Sequence, residues 1–233
     1  MTPAVTTVIF VRHGLTAMTG PVLAGWTPGL HLDDRGQAQA AAVAERLRPV
    51  PLAAVVCSPL ERCRDTSAAI LAGREGTPEH VDDRVGECRY GDWTGKEIKV
   101  LAKDPLWKVV QSHPSAVTFP GPEGEALRDT QIRAVDAVRE WNAALGPEAT
   151  YLVCSHGDVI KALLADALGL HLDGFQRIQV DPCSVSVVRY TDTRPFVLRS
   201  NDTGGGVEGL VPAKKKGRRR SGSSDAVVGG GAG

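Results

Sequence analysis

The chain has 233 residues, 42% hydrophobic and 23% charged, which supports one substantial buried core and excludes a fibrous or wholly disordered protein. Its 27 Lys and Arg balance 27 Asp and Glu, so no global charge points to nucleic acid. No apolar run approaches the roughly 20 residues of a membrane span. The start, Met1-Thr2-Pro3-Ala4-Val5, lacks the basic region of a signal peptide, so the expected location is the cytoplasm. The five cysteines (Cys57, Cys63, Cys88, Cys154, Cys183) are odd in number and form no C-x-x-C pair. That pattern fits reduced thiols better than a disulfide framework or a zinc site.

The first element is the run Val8-Ile9-Phe10-Val11, short, apolar and rich in β-branched residues, which reads as a buried strand. Arg12-His13-Gly14 follows where that strand gives way to a loop. The segment Gln37 to Leu47 is filled with helix formers, with Asp33 or Asp34 as cap and Pro49 and Pro51 as terminators. Leu52 to Cys57 is a second predicted strand. Ser58-Pro59 opens a second helix, to about Ala72, with Ser58 as cap and Pro59 at the first helical position.

Residues 84–124 are rich in Gly, Pro, Trp and charge. They read as an insertion or lid outside the core, with a short helix at 96–103. Arg128 to Leu145 is predicted helical, Thr150 to Cys154 a third central strand, and Asp158 to Leu168 the helix after Ser155-His156-Gly157. Arg177 to Val180, Val185 to Tyr190 and Phe196 to Leu198 read as closing strands, a hairpin among them being one option. The order strand–helix–strand–helix predicts an α/β fold: a three-layer, open, mostly parallel sheet with helices on both faces, in one domain spanning 1–200. From 201 to 233 the composition turns to Gly, Ser, Lys and Arg, and a disordered tail is expected. That tail carries about +3 and the body about −3. A solvated basic tail is the preferred reading of Lys214 to Arg220; a nuclear-localisation or nucleic-acid segment is the alternative.

Two strands thus end in a histidine followed by glycine, His13-Gly14 and His156-Gly157, and a third feeds Arg62. If these strands are neighbours, two imidazoles and two guanidiniums converge at the end of the sheet where α/β folds bind ligands. Arginine binds phosphate oxygens bidentately and keeps its charge. A neutral imidazole nitrogen is a nucleophile toward phosphorus. A second imidazole, if protonated, stabilises charge on a transferring phosphoryl group. Backbone N–H groups opening the helix after His156 can add to the cradle.

Arg12-His13-Gly14 resembles the signature of the histidine phosphatase superfamily, the phosphoglycerate-mutase-like family. Further matches follow in family order: Gly25-Trp26, Leu32 to Ala40, Ser58 to Thr66 around Arg62, Glu87 to Gly95, Pro122 to Glu125, and Ser155-His156-Gly157. The chain is also similar to an actinobacterial branch of phosphomutase-like proteins. The resemblance implies His13 as nucleophile, with Arg12, Arg62 and His156 lining the phosphate pocket. It implies Glu87 as general acid and then base, and Gly157 as a backbone donor. Gly14 and Thr19 join the expected substrate-binding set. Thr19 stands where the family often has asparagine, and Leu15 where many relatives carry Glu or Gln.

The expected activity is a metal-independent phosphatase acting on a small phosphorylated metabolite, with no cofactor. A phosphomutase is the alternative, and a non-catalytic phosphate- or phosphoprotein-binding module the rival of another class. No ligand spacing such as His-x-x-x-His supports a metal. Membrane and nucleic-acid partners are not expected, and the oligomeric state is left open, a homodimer being one option. Cys63 and Cys88 directly follow Arg62 and Glu87. Oxidation sensing is conceivable there, but ordinary packing is the preferred reading.

Overall fold

The computed structural model describes residues 5–205. Six strands form one sheet in the order β3-β2-β4-β1-β5-β6. They are β1 (Thr6–Arg12), β2 (Val55–Cys57), β3 (Glu79–Val81), β4 (Thr150–Ser155), β5 (Val185–Tyr190) and β6 (Pro195–Asp202). The first four run parallel; β5 and β6 are added antiparallel to β1 and to each other. The helices are α1 (Asp34–Leu47), α2 (Glu61–Leu71), α3 (Ile98–Leu101), α4 (Pro105–Ser112), α5 (Leu127–Leu145) and α6 (Gly157–Ala167). Among the described residues no helix is long and apolar enough to cross a membrane.

The period of two along β1 sorts the core. Val8 and Phe10 face one cluster, with Val56, Tyr151, Val153, α5 and α6. Ile9 and Val11 face the other, with Val55, Leu152, α1 and α2. Both faces are therefore covered, as the nearly all-apolar β1 and β4 require. Helix α6 is buried all round, which its composition after Asp158 permits.

Several expected elements change. Residues 84–124 are not a lid outside the core: Tyr90, Trp93, Leu101, Val110 and Phe119 are buried in the same cluster as Val8 and Phe10. Edge-to-face contacts of Phe119 with Tyr90 and Trp93 lock them there. The helical part of this stretch is two short helices, α3 and α4, with Asp104 capping the second. Ser58 does not cap α2, whose cap position is Leu60 two residues on; its hydroxyl accepts from His156 Nε2 and from the Leu60 N–H. Residues 177–180 form no strand; Arg177 ends a 3₁₀ stretch, Leu172–Arg177. The hairpin option is realised by β5 and β6, and β6 carries the fold through Asp202 rather than stopping near 200. The expected tail from 206 onward lies outside the described residues.

Helix α1 begins where Asp33 Oδ1 accepts from the Gly36 N–H at 2.9 Å. This start is pressed against the loop after His13. A Cβ on Gly36 would lie 2.0 Å from the Leu15 carbonyl oxygen, and one on Gly14 2.7 Å from that of Gly36. Both obstacles are backbone, so neither can swing aside. Gly36→Ala should therefore destabilise by about 1–3 kcal/mol, the usual cost of overpacking. Denaturant unfolding measures this; an unchanged midpoint would show that the loop is free to move.

Candidate active site

Parallel register brings the expected residues together. Arg12 pairs with Ser155 across β1 and β4, and the His13 N–H donates to the Ser155 carbonyl at 3.0 Å. On the other side the Ser58 N–H donates to the Cys154 carbonyl at 3.0 Å. The ends of β1, β4 and β2 thus lie side by side, carrying His13, His156 and the entry to α2 with Arg62.

Arg62, 1% exposed, is the hub. Its Nε donates to His13 Nε2 at 3.2 Å, and Nη2 donates to the Gly25 carbonyl at 2.8 Å and to His156 Nδ1 at 3.1 Å. A guanidinium only donates, so both ring nitrogens accept. His13 Nδ1 carries its proton and donates it to the Gly14 carbonyl at 2.8 Å. His156 Nε2 carries its proton and donates to Ser58 Oγ at 2.7 Å. Both rings are thereby neutral, their centroids 5.2 Å apart. Burial, then Arg62, drives both imidazoles well below the ordinary histidine value. The protonated state considered for His156 is not the one this unliganded geometry holds.

Glu87 lies beside the same edge of His156 that Arg62 bonds, Oε2 3.8 Å from Nδ1, with Oε1 accepting from the Cys88 N–H at 3.0 Å. Burial pushes its carboxyl up to about 7; Asp158 adds to the rise, while Arg62, the Cys88 N–H and Arg12 oppose it. Its backbone is clamped too. The Glu87 carbonyl accepts from Trp26 Nε1 at 2.6 Å and from Arg133 Nη2 of α5 at 3.0 Å. Arg12 is 2% exposed, and its Nη1 donates to the Val180 carbonyl at 2.7 Å. Gly157 opens α6 directly after His156, where backbone N–H groups lack partners within the helix.

Two members of the expected set are placed differently. The Gly14 N–H donates to Thr66 Oγ1 at 3.1 Å; Gly14 sets the His13 tautomer and allows close packing rather than presenting a donor. Thr19 Oγ1 accepts from the Thr16 N–H and bonds the Thr16 hydroxyl, both at 3.0 Å, closing its own turn. Residues given no place in the site beforehand are Ser58 on His156, Trp26 on Glu87, and the buried Tyr90, Asp158 and Lys161 behind it. Cys63 Sγ sits 3.4 Å from His156 Nε2, and all five thiols are free and buried. Burial raises the Cys88 thiol well above its ordinary value, which favours the packing reading. Among the described residues no group of three His, Cys, Asp or Glu is gathered as a metal would need.

A recess of about 320 Å³ is lined by Trp26, whose indole bonds the Glu87 carbonyl, and by Arg89, Gly91, Thr94 and Glu123. The Arg89 guanidinium lies 4.0 Å over the Trp26 ring.

An open α/β sheet whose strand ends gather two imidazoles, two guanidiniums and one carboxylic acid defines a protein equipped to hold and process a compact anion. The chain belongs to the histidine phosphatase superfamily (branch 1), which it matches over residues 8–203. A glucosyl-3-phosphoglycerate phosphatase from Mycolicibacterium vanbaalenii is 31% identical over 175 residues, 72% of this chain and 76% of that protein. A 2,3-bisphosphoglycerate-dependent phosphoglycerate mutase from Gloeobacter violaceus is 28% identical over 182 residues, 75% of this chain and 81% of that protein. The solved structure of Bacillus stearothermophilus YhfR superposes with a TM-score of 0.76 at 27% identity, covering 84% of this chain and 97% of that one.

The three shifted groups make a signed prediction. Between about pH 5 and 6 the unfolded chain protonates both histidines and ionises Glu87, whereas the folded chain does the reverse. The histidines, lowered on folding, contribute a slope rising with pH. Glu87, raised on folding, contributes a falling one, its stabilisation being lost as pH climbs through about 7. The net is one proton more on the unfolded chain, so these groups make stability rise by about 1.4 kcal/mol per pH unit in that window. His13→Gln should flatten the measured pH–stability slope by that amount; an unaltered slope would mean His13 is not held neutral.

Proposed function

We propose that this protein is a phosphatase that hydrolyses small phosphomonoesters through a phosphohistidine on His13. The observation that carries the reading is the His13 ring itself. Its Nδ1–H is committed to the Gly14 carbonyl, leaving Nε2 unprotonated, its lone pair accepting only from the buried Arg62 guanidinium at 3.2 Å. A phosphoryl oxygen can take the place of His13 as the acceptor from Arg62 Nε and so bring phosphorus to Nε2.

His13 Nε2 attacks phosphorus and the ester P–O bond breaks. The leaving oxygen takes the Glu87 proton and departs as the alcohol. Water then attacks the phosphorylated histidine, Glu87 takes a proton from it, the N–P bond breaks, and phosphate leaves a regenerated site. A carboxyl raised to about 7 is matched to both half-reactions near neutral pH. Arg12, Arg62 and the Gly157 N–H hold the phosphoryl oxygens, and His156 joins them once it takes a proton on Nδ1. The phosphatase relative supports water as acceptor. The mutase relative supports a second reading, in which the group returns to a substrate hydroxyl. Five reduced, buried thiols fit a reducing compartment, and the cytoplasm is the proposed location.

Hydrolysis of p-nitrophenyl phosphate should persist in EDTA, vanish in His13→Ala, and fall at least ~10²–10³-fold in kcat for Arg62→Ala. Equal rates for wild type and His13→Ala would sink the assignment, and loss in EDTA would require a metal. Isomer formation from phosphoglycerate, measured alongside phosphate release, separates mutase from phosphatase.

The recess at Trp26 is where the body of the leaving group would lie, and Arg89 offers it a cation. Arg89→Met should raise KM several-fold for carboxylate-bearing phosphomonoesters such as 3-phosphoglycerate. Its KM for p-nitrophenyl phosphate should stay the same. Equal effects on both would remove Arg89 from substrate recognition.

A further inference from the structure

Helix α6 is lined with Val159, Ile160, Ala162, Leu163, Leu164 and Ala165, yet it also buries Asp158 and Lys161, each 1% exposed. Lys161 Nζ lies 3.8 Å from Asp158 Oδ1 and donates to Gln176 Oε1 at 3.2 Å. Asp158 Oδ2 accepts from Tyr90 Oη at 2.8 Å. A buried pair of this kind is weak evidence for stability, because apolar residues of similar volume pack as well without desolvating charge. Its placement gives it another use. Asp158 lies two residues beyond His156, whose Nδ1 is 3.8 Å from Glu87, and Tyr90 lies three beyond Glu87 on the same loop.

We propose that Asp158 and Lys161 form a buried charge pair behind the site that sets the pH range over which Glu87 delivers its proton. The proposal rests on Glu87 being the proton donor described above. It goes further in assigning the control of that donor to two residues that touch no substrate.

The groups facing Glu87 come from every element packed on it. Arg12 approaches from β1 and Arg62 from α2, both favouring the carboxylate. Arg133 of α5 bonds its carbonyl while pairing with Glu125. The neutral His156 lies at 3.8 Å. Against these cations stands Asp158, which favours the protonated acid. Lys161 attracts both Asp158 and Glu87 and so opposes Asp158 in its effect on Glu87. The two members of the pair therefore act on Glu87 with opposite sign, so removing each in turn moves Glu87 in opposite directions, whereas lost packing would not sort the variants by charge.

The test is a ¹³C NMR titration of the Glu87 carboxyl, assigned with Glu87→Gln, in wild type, Asp158→Asn and Lys161→Met. It is paired with the pH dependence of phosphohistidine formation from glycerol phosphate. Asp158→Asn should move the Glu87 midpoint down by about one pH unit, and Lys161→Met should move it up. The alkaline limb of phosphohistidine formation should follow each shift. A midpoint unmoved in both variants, or moved the same way by both, overturns the proposal. If the midpoints move as stated but wild type forms no phosphohistidine, the charge pair stands and the phosphatase reading falls. If Asp158→Asn does not fold, Lys161→Met decides alone: an upward shift supports the pair and an unmoved midpoint overturns it.

Discussion

A guanidinium sealed from solvent governs this structure. Arg62 is buried, and its acceptors are two imidazole nitrogens and the Gly25 carbonyl. None of the three carries formal charge, so the cation is solvated but not neutralised. That imbalance fixes both histidines in one tautomer, keeps them neutral, and leaves a positive centre awaiting an anion. It also sets a demand on the surrounding framework. A buried charge held by weak acceptors tolerates no slack, and strand register, Ser58 and the Gly14–Gly36 contact all limit movement around it.

The acid is governed by the opposite constraint. Glu87 sits among cations that would ionise it, and burial together with Asp158 keeps its proton on. A site that must both bind a dianion and donate a proton needs these two tendencies in one small volume. Here they are separated by sequence: the cations arrive on β1 and α2, and the balancing acid arrives on α6 immediately after His156.

Much of the centre was legible in the chain. Arg12-His13-Gly14 and Ser155-His156-Gly157 each follow an apolar run, and strand ends of that kind meet when the strands pair in parallel. Residues 84–124 misled because Gly, Pro and charge dominate their composition. The aromatic residues Tyr90, Trp93 and Phe119, spaced irregularly, give no period to read, yet they fill the core. Ser58 looked like a helix cap because the local signal is genuine; only the fold reveals that His156 claims the hydroxyl. Asp158 and Lys161 were hidden for a related reason. At the start of a helix an Asp is unremarkable, and burial of a Lys three residues on is decided by neighbours distant in sequence. The strand β3 escaped notice because Glu79-His80-Val81 is short and polar, as an edge strand permits.

The recess and the phosphoryl-handling residues meet through backbone atoms. Arg62 holds the carbonyl of Gly25, and Trp26 holds the carbonyl of Glu87. A carbonyl oxygen is the same whatever side chain its residue bears. Arg89 and Glu123 in the recess wall make neither of these bonds, so they can be rewritten without loosening either one. Such a partition lets one chemical engine be fitted with different receptacles, so that novelty in what is recognised need not be gained at the expense of what is done to it.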